Sequence, residues 1–291
     1  MKNLLTFDIE DWYHPNLADP DLLQKLEPED RVEEPTLRIL NMLDQTKNTA
    51  TFFVLGDVAE KFPKLVQEIS RRGHEVASHG YRHNLVYDYT RVQFETDVAR
   101  AVATLREITG QKVLGYRAPS WSLGKKTPWA WEVLHSQGFK YDSSLYPFET
   151  FLYGDNNSPR FAYDITVKEG VELREIPPSV AEILGKRMPF SGGFYFRVAP
   201  YSYIKWGIRQ CNSKGQPANM YLHPWELDVG QPRLKVSAVR RFLLYANIER
   251  TERKLLKLLR EYSFVSIQEF FSFEEATSYC GDSLKNSSAI V

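Results

Sequence analysis

Short apolar runs and helix-patterned segments alternate along this 291-residue chain, and the runs end on acids, histidines or an arginine. Residues 4–8 form one such run, closing on Asp8 with Glu10 and Asp11 just beyond. Residues 32–46 carry the helical spacing of Leu37, Leu40 and Leu43, and residues 50–55 are rich in strand formers. A helical stretch from Asp57, striped by Leu65 and Ile69, stops near Gly73 and gives way to a strand at 75–78. The same alternation predicts a helix over 90–109 closed by Gly110, a strand at 113–116, and a helix opened by Thr127-Pro128 and ended by Gly138. A short strand then leads to Asp142. Further strands are expected at 173–176, 218–222 and 264–266, with helices at 201–211 and 251–262 between them. Residues 147–160 read as a loop, and Ser191-Gly192-Gly193-Phe194 as a hinge-like turn.

Strands and helices alternating at this spacing form parallel β/α units, whose functional side chains gather at the carboxyl ends of the strands. Roughly seven units are more than a small open sheet needs. The expected fold is α/β, a distorted or incomplete (β/α) barrel, with a doubly wound sheet as the alternative. No linker divides the chain, so residues 1–272 are expected to form a single domain and 273–291 a polar tail.

The strand ends carry the chemistry. His79 and His83 are four residues apart, which on one helical turn puts two imidazoles on one face, as two ligands of a metal require. Such a pair also occurs on solvated helix faces, and a hydrolytic metal needs a third ligand, a carboxylate from elsewhere. Asp8, Glu10 and Asp11 crowd beside Trp12, Tyr13 and His14; burying them requires a cation or an arginine, and otherwise they form a solvated acidic loop. Arg117 follows the strand at 113–116, and His223 follows the strand at 218–222.

Composition narrows the function. Lys plus Arg and Asp plus Glu both number 37, so no long-range attraction to nucleic acid or an anionic membrane is expected. The opening apolar run is too short and too quickly broken by an acid for a secretory leader, and no stretch approaches the roughly 18–20 residues that span a bilayer. Cys211 and Cys280 read as free thiols, which fits a reducing compartment, and a cytoplasmic protein is expected. Aromatic residues make up 13%, enough for a sugar-binding cleft as well as a core.

Taken in order, these strand ends resemble the five motifs of the polysaccharide deacetylases of carbohydrate esterase family four, the NodB-homology group. The likeness is to the branch with a Phe-Asp-x-Glu-Asp start, which includes exopolysaccharide-locus and peptidoglycan deacetylase-like proteins, and it runs from about Leu4 to Phe271. Thr6-Phe7-Asp8-Ile9-Glu10-Asp11 resembles the first motif, which implies that Asp8 is the catalytic base. Its metal-binding aspartate is replaced by Ile9. Glu10, on the same strand face as Asp8, or Asp11, presented by a turn, would supply the carboxylate. The second motif, matched at 78–83, implies that His79 and His83 are ligands. Arg117-Ala118-Pro119-Ser120 resembles the third, which implies that Arg117 orients Asp8 and that the Ser120 N–H contributes to an oxyanion hole. Asp142-Ser143-Ser144 falls at the fourth without its tryptophan, leaving Trp121 or Trp225 to wall the cleft. Leu222-His223-Pro224 resembles the fifth, making His223 the catalytic acid, supported by Glu226 or Asp142, and Leu222 part of the acetyl-methyl pocket.

The resemblance implies metal-dependent hydrolysis of N-acetyl groups on an amino-sugar polymer or its precursor. The metal would be divalent, zinc by default, with cobalt, nickel or iron also suited. Two other readings remain: a hydrolase of small cyclic amides resembling allantoinase, and a carbohydrate-binding protein on a deacetylase scaffold. Association into a homo-oligomer is left open.

Overall fold

Strand β1 (Asn3–Ile9) is where the sheet both starts and returns. In the computed structural model, which describes residues 1–15, 28–150 and 153–273, it is flanked by β2 (Thr51–Val54) and by β10 (Asn219–Leu222). From β2 the sheet continues through β3 (Glu75–Ser78), β4 (Gly115–Tyr116) and β5 (Tyr141–Asp142) to β7 (Val171–Glu175), every pairing parallel. Strand β6 (Tyr163–Lys168) turns back antiparallel on β7, and β11 (Phe264–Val265) joins β1 at Asn3 and Leu4. The order advances one way round, without the reversal that defines a doubly wound sheet.

The sheet curls, but among the described residues no strand fills the gap beyond β10. Loop residues span it instead: the Ser179 N–H donates to Asn219 O at 3.0 Å, the Asn219 N–H donates to Ser179 Oγ at 2.8 Å, and the Tyr221 N–H donates to Ser191 O at 3.0 Å. This is the distorted, incomplete barrel expected from the sequence.

Strand alternation sorts the side chains. Leu5, Phe7 and Ile9 of β1 face outward into the main apolar core. That core includes residues of α1 (Glu33–Thr46), α3 (Pro63–Arg71), α4 (Arg91–Thr109) and α9 (Ile248–Glu261). Leu4 faces the other way and packs with Phe53, Ala77 and Tyr141 in a separate inner cluster. At the base of this interior, buried Glu75 accepts from Thr51 Oγ1, the Tyr141 hydroxyl and the Gln268 N–H of α10 (Ile267–Phe271), which together satisfy its carboxyl.

Several local expectations change. The helical stretch from Asp57 is two helices, α2 (Gly56–Lys61) and α3, because Pro63 lacks an N–H and takes the first position of a new helix. The hairpin of β8 (Val180–Ile183) and β9 (Lys186–Pro189), strand β6 and helix α8 (Ala238–Tyr245) are additional elements. Gly193 begins α6 (Gly193–Val198) instead of acting as a hinge, and Tyr201–Ser213 forms α7. Helix α5 (Trp129–Ser136) lies where its proline signal placed it. Phe273, the first residue assigned to a tail, stacks on Tyr141 at 5.4 Å, while residues 274–291, including Cys280, lie outside the described residues. Cys211 is a buried free thiol. Among the described residues, no helix is long and apolar enough to cross a membrane.

Gly192 is required for space at the seam, since a Cβ there would lie 2.0 Å from Tyr221 O, a backbone atom that cannot move aside. Gly192→Ala is expected to destabilise the fold by about 1–3 kcal/mol, read as a lowered urea midpoint with unchanged slope.

Candidate active site

The residues singled out in the sequence converge on the carboxyl rim of the curled sheet. Asp8 points inward from the end of β1 and Glu10 follows on the same face, both almost fully buried. Two buried carboxylates at one strand end need compensating charge, and the structure provides it on two sides.

The first source is Arg117, which follows β4 and has no exposed surface. Its Nη1 donates to Asp8 Oδ1 at 2.6 Å and to Thr6 Oγ1 at 2.8 Å, Nε donates to Ser143 O, and Nη2 donates to Ser143 Oγ. The guanidinium also lies 4.1 Å from the Phe53 ring. Asp8 is thereby clamped through one oxygen, while Oδ2 is 3.8 Å from His223 Nε2.

The second source is a set of imidazoles around Glu10. His79 directly follows β3; its Nδ1 lies 2.7 Å from Arg117 O, an acceptor, so Nδ1 carries the proton and Nε2 presents a lone pair. His83 is brought back by an irregular turn through Gly80, at φ +81°, and not by the helical turn its spacing suggested. His83 Nε2 lies 2.7 Å from Glu10 Oε2. One ligand atom from each of Glu10, His79 and His83 falls within 4.8 Å of the others. His83 Nδ1 is buried without a hydrogen-bond partner among the described residues, and His83 Nε2 is the near neighbour of buried Glu10 Oε2. A carboxylate and two imidazoles of this kind fit a divalent cation. Burial would raise the Glu10 pKa, but His83, His223 and His79 hold it below the usual carboxylate range, and burial pushes His79 down to about 4.

Asp11 does not join them. Its oxygens accept the N–H groups of Trp12, Arg31 and Val32, so it fastens a neighbouring segment, and burial raises it to about 6. Glu10 is therefore the carboxylate of the cluster. Leu222 also departs from expectation: it alternates outward into the main core, leaving Tyr221 and His223 to line the cavity. Ser120 and Trp121 both line it as well.

His223 stands opposite Asp8. Glu226 Oε2 lies 3.0 Å from its Nδ1 and accepts its backbone N–H, while Glu226 Oε1 accepts from Arg197 Nε at 2.7 Å. Burial opposes charge on His223, yet Glu10, Glu226 and Asp8 raise it to about 9. Burial likewise opposes charge on Glu226, but His223 and Arg197 hold its pKa low. Of the two acids considered for His223, Glu226 makes the contact; Asp142 instead accepts from Trp131 Nε1 and Ser144 Oγ. Arg197 went unnoticed in the sequence. Trp225, one of the two tryptophans expected to wall the cleft, lines the cavity; its Nε1 donates to Glu10 Oε1 at 3.1 Å and its ring stacks on His223. The Pro-Trp-Glu triplet after His223 was the available signal, since a single 3-10 turn returns Glu226 to the histidine.

Residues 4–141 match the polysaccharide deacetylase family, and residues 143–272 match a domain of unknown function. The chain contains a polysaccharide deacetylase (NodB-homology) domain. It is 35% identical over 152 residues to the peptidoglycan deacetylase of Helicobacter pylori, covering 50% of each. It spans half or less of the length of the first curated relatives it matches. Among solved structures, a candidate polysaccharide deacetylase from Mycobacterium smegmatis superposes with a TM-score of 0.60 at 22% identity, over 92% of this chain and 88% of that one. An allantoinase also reaches 0.60, at 16% identity over 90% and 85%. Both share the fold.

Because Arg117 compensates a buried Asp8, Arg117→Met is expected to destabilise the protein by about 3–5 kcal/mol in urea unfolding. Replacing both members, as Arg117→Met with Asp8→Leu, is expected to recover most of that loss.

Proposed function

We propose that this chain hydrolyses N-acetyl groups on the amino sugars of a polysaccharide or its precursor, releasing acetate. The observation that carries this reading is the placement of Asp8, clamped by Arg117, beside the Glu10, His79 and His83 cluster and across from His223. The homology to peptidoglycan deacetylases supports it.

Glu10, His79 and His83 would hold a divalent cation, zinc in this reading, with cobalt, nickel or iron as substitutes. Such an ion supplies Lewis-acid polarisation of a water and of the amide carbonyl. Asp8 Oδ2, the oxygen not bound by Arg117, takes the proton from the attacking water as its oxygen bonds to the acetyl carbon. The Ser120 N–H serves as a donor to the resulting oxyanion, a contribution worth roughly 3 kcal/mol. The C–N bond then breaks as His223 Nε2 gives its proton to the departing nitrogen. Acetate and a free amine leave. Glu226, fixed by Arg197, keeps the Nδ1 side of the ring occupied so that Nε2 faces the cavity. Trp121 walls the cleft.

Acetate release from N-acetylglucosamine oligomers and from peptidoglycan fragments tests the reading. Release is expected in the presence of zinc and is expected to stop on chelation. Asp8→Asn is expected to lower kcat about 10²–10⁴-fold with zinc still bound, and His79→Ala to lose the metal itself, measured by elemental analysis. Allantoin hydrolysis without any acetate release from amino sugars would sink the reading.

A further inference from the structure

Helix α8 is fastened to the candidate site, yet it leaves apolar side chains in water. Leu244 and Tyr245 pack with Ile248 of α9. Arg197, which holds Glu226, also donates through Nη1 to Ala246 O at 2.7 Å and through Nη2 to Leu243 O at 2.5 Å. Leu243 itself lines the catalytic cavity. Val239 and Phe242, one helical turn apart, are by contrast 70% and 58% exposed. Phe242 rests against Phe194 with ring centroids 5.6 Å apart, and Phe194 is a wall of the cavity, so the exposed apolar face adjoins it.

The charge around this face has one sign. Between Asp228, which pairs with Arg31, and Glu249, in the first turn of α9, the chain carries Arg233, Lys235, Arg240 and Arg241 and no acid. All four are exposed, and among the described residues none has a carboxylate partner. The Arg233 guanidinium lies 4.5 Å from the Tyr245 ring, and the Leu234 N–H donates to the Tyr245 hydroxyl at 3.0 Å. The loop that carries the first two cations is therefore tied to the helix that carries the other two. The chain as a whole is neutral, so this patch exerts its pull only within about 8–10 Å, the screening length of physiological salt.

We propose that the outer face of α8 and the loop before it dock on an anionic phospholipid surface. A soluble polyanion would satisfy the four cations but leave Val239 and Phe242 in water. A bilayer boundary takes both kinds of side chain, the headgroups by charge and the first acyl carbons by contact with the valine and the phenyl ring. The contact is peripheral, and it holds the catalytic cavity next to the lipid headgroups through Arg197 and Phe194. Such docking goes beyond the deacetylase reading and does not require it.

Co-sedimentation of the full chain with lipid vesicles tests this, using phosphatidylcholine alone and an equal mixture of phosphatidylcholine and phosphatidylglycerol. Binding is expected to be at least about tenfold tighter to the mixed vesicles and to weaken as salt is raised. Each basic side chain contributes about fivefold at such a surface, so Arg240→Glu with Arg241→Glu is expected to cost at least about tenfold. Lys140→Glu with Lys168→Glu changes the net charge equally at other exposed positions and is expected to cost less than about twofold. Val239→Ser with Phe242→Ser is expected to weaken binding about tenfold through lost apolar contact. The altered side chains are all exposed, and an unchanged urea midpoint checks that each variant is folded. No binding to the mixed vesicles, equal binding to both kinds, or an equal loss in the two charge-reversed pairs overturns the proposal. Undiminished binding by the serine variant also overturns it, and marks the patch as a site for a soluble polyanion. None of these measurements uses acetate release, so a failure here leaves the proposed reaction standing.

Discussion

The buried ion pair between Arg117 and Asp8 is the contact on which the upper half of the barrel depends. A guanidinium with no exposed surface is tolerable only if its donors are met, and they are met by β1 on one side and the end of β5 on the other. The arginine therefore ties together strands that are not neighbours in the sheet. It also fixes the rotamer of Asp8, and through the Arg117 carbonyl it sets the tautomer of His79. One residue thus sets the orientation of both a carboxylate and an imidazole. Buried pairs of this kind contribute little net stability, but they are costly to break, which makes the arrangement rigid.

The boundary between the two matched regions, at residues 141 and 143, is not a boundary in space. Strand β5 pairs with β7 across it, and β10, from the second region, pairs along β1, from the first. The second region supplies His223, Glu226 and Arg197, so the cluster and the histidine facing it come from different halves of the chain. Trp225 connects them directly, donating to Glu10 while stacking on His223. The region without an assigned function completes the barrel and half of the rim.

Much of this was legible in the sequence, because strand ends in parallel β/α folds announce themselves as apolar runs stopped by polar residues. Asp8, Glu10, His79, Arg117 and His223 were found that way, and β1, β3 and β10 lie where the pattern put them. What failed did so for local reasons. Leu222 immediately precedes His223, and adjacent strand residues face opposite sides, so both could not line one cavity. Asp11 could be separated from Glu10 only by seeing three backbone N–H groups converge on it. The turn carrying His83 depends on Gly80 adopting positive φ, which spacing alone does not reveal. Strand β6 pairs with the adjacent β7 and β8 with the adjacent β9, and these short, partly exposed elements lack the apolar run that marks the buried strands. Arg197 is invisible for another reason: its partner lies 29 residues away.

The seam beside β10 gives the scaffold a way to vary. From β1 to β7, each strand is fixed by neighbours on both sides, so moving one would disturb the register of the rest. At the seam, a few loop hydrogen bonds from Ser179 and Ser191 do the work of a full strand pairing. Lengthening those loops would reshape the mouth of the cleft while leaving Asp8, Arg117 and the Glu10 cluster undisturbed. Such an adjustable edge lets the shape of the cleft mouth change without moving the strand-end groups beneath it.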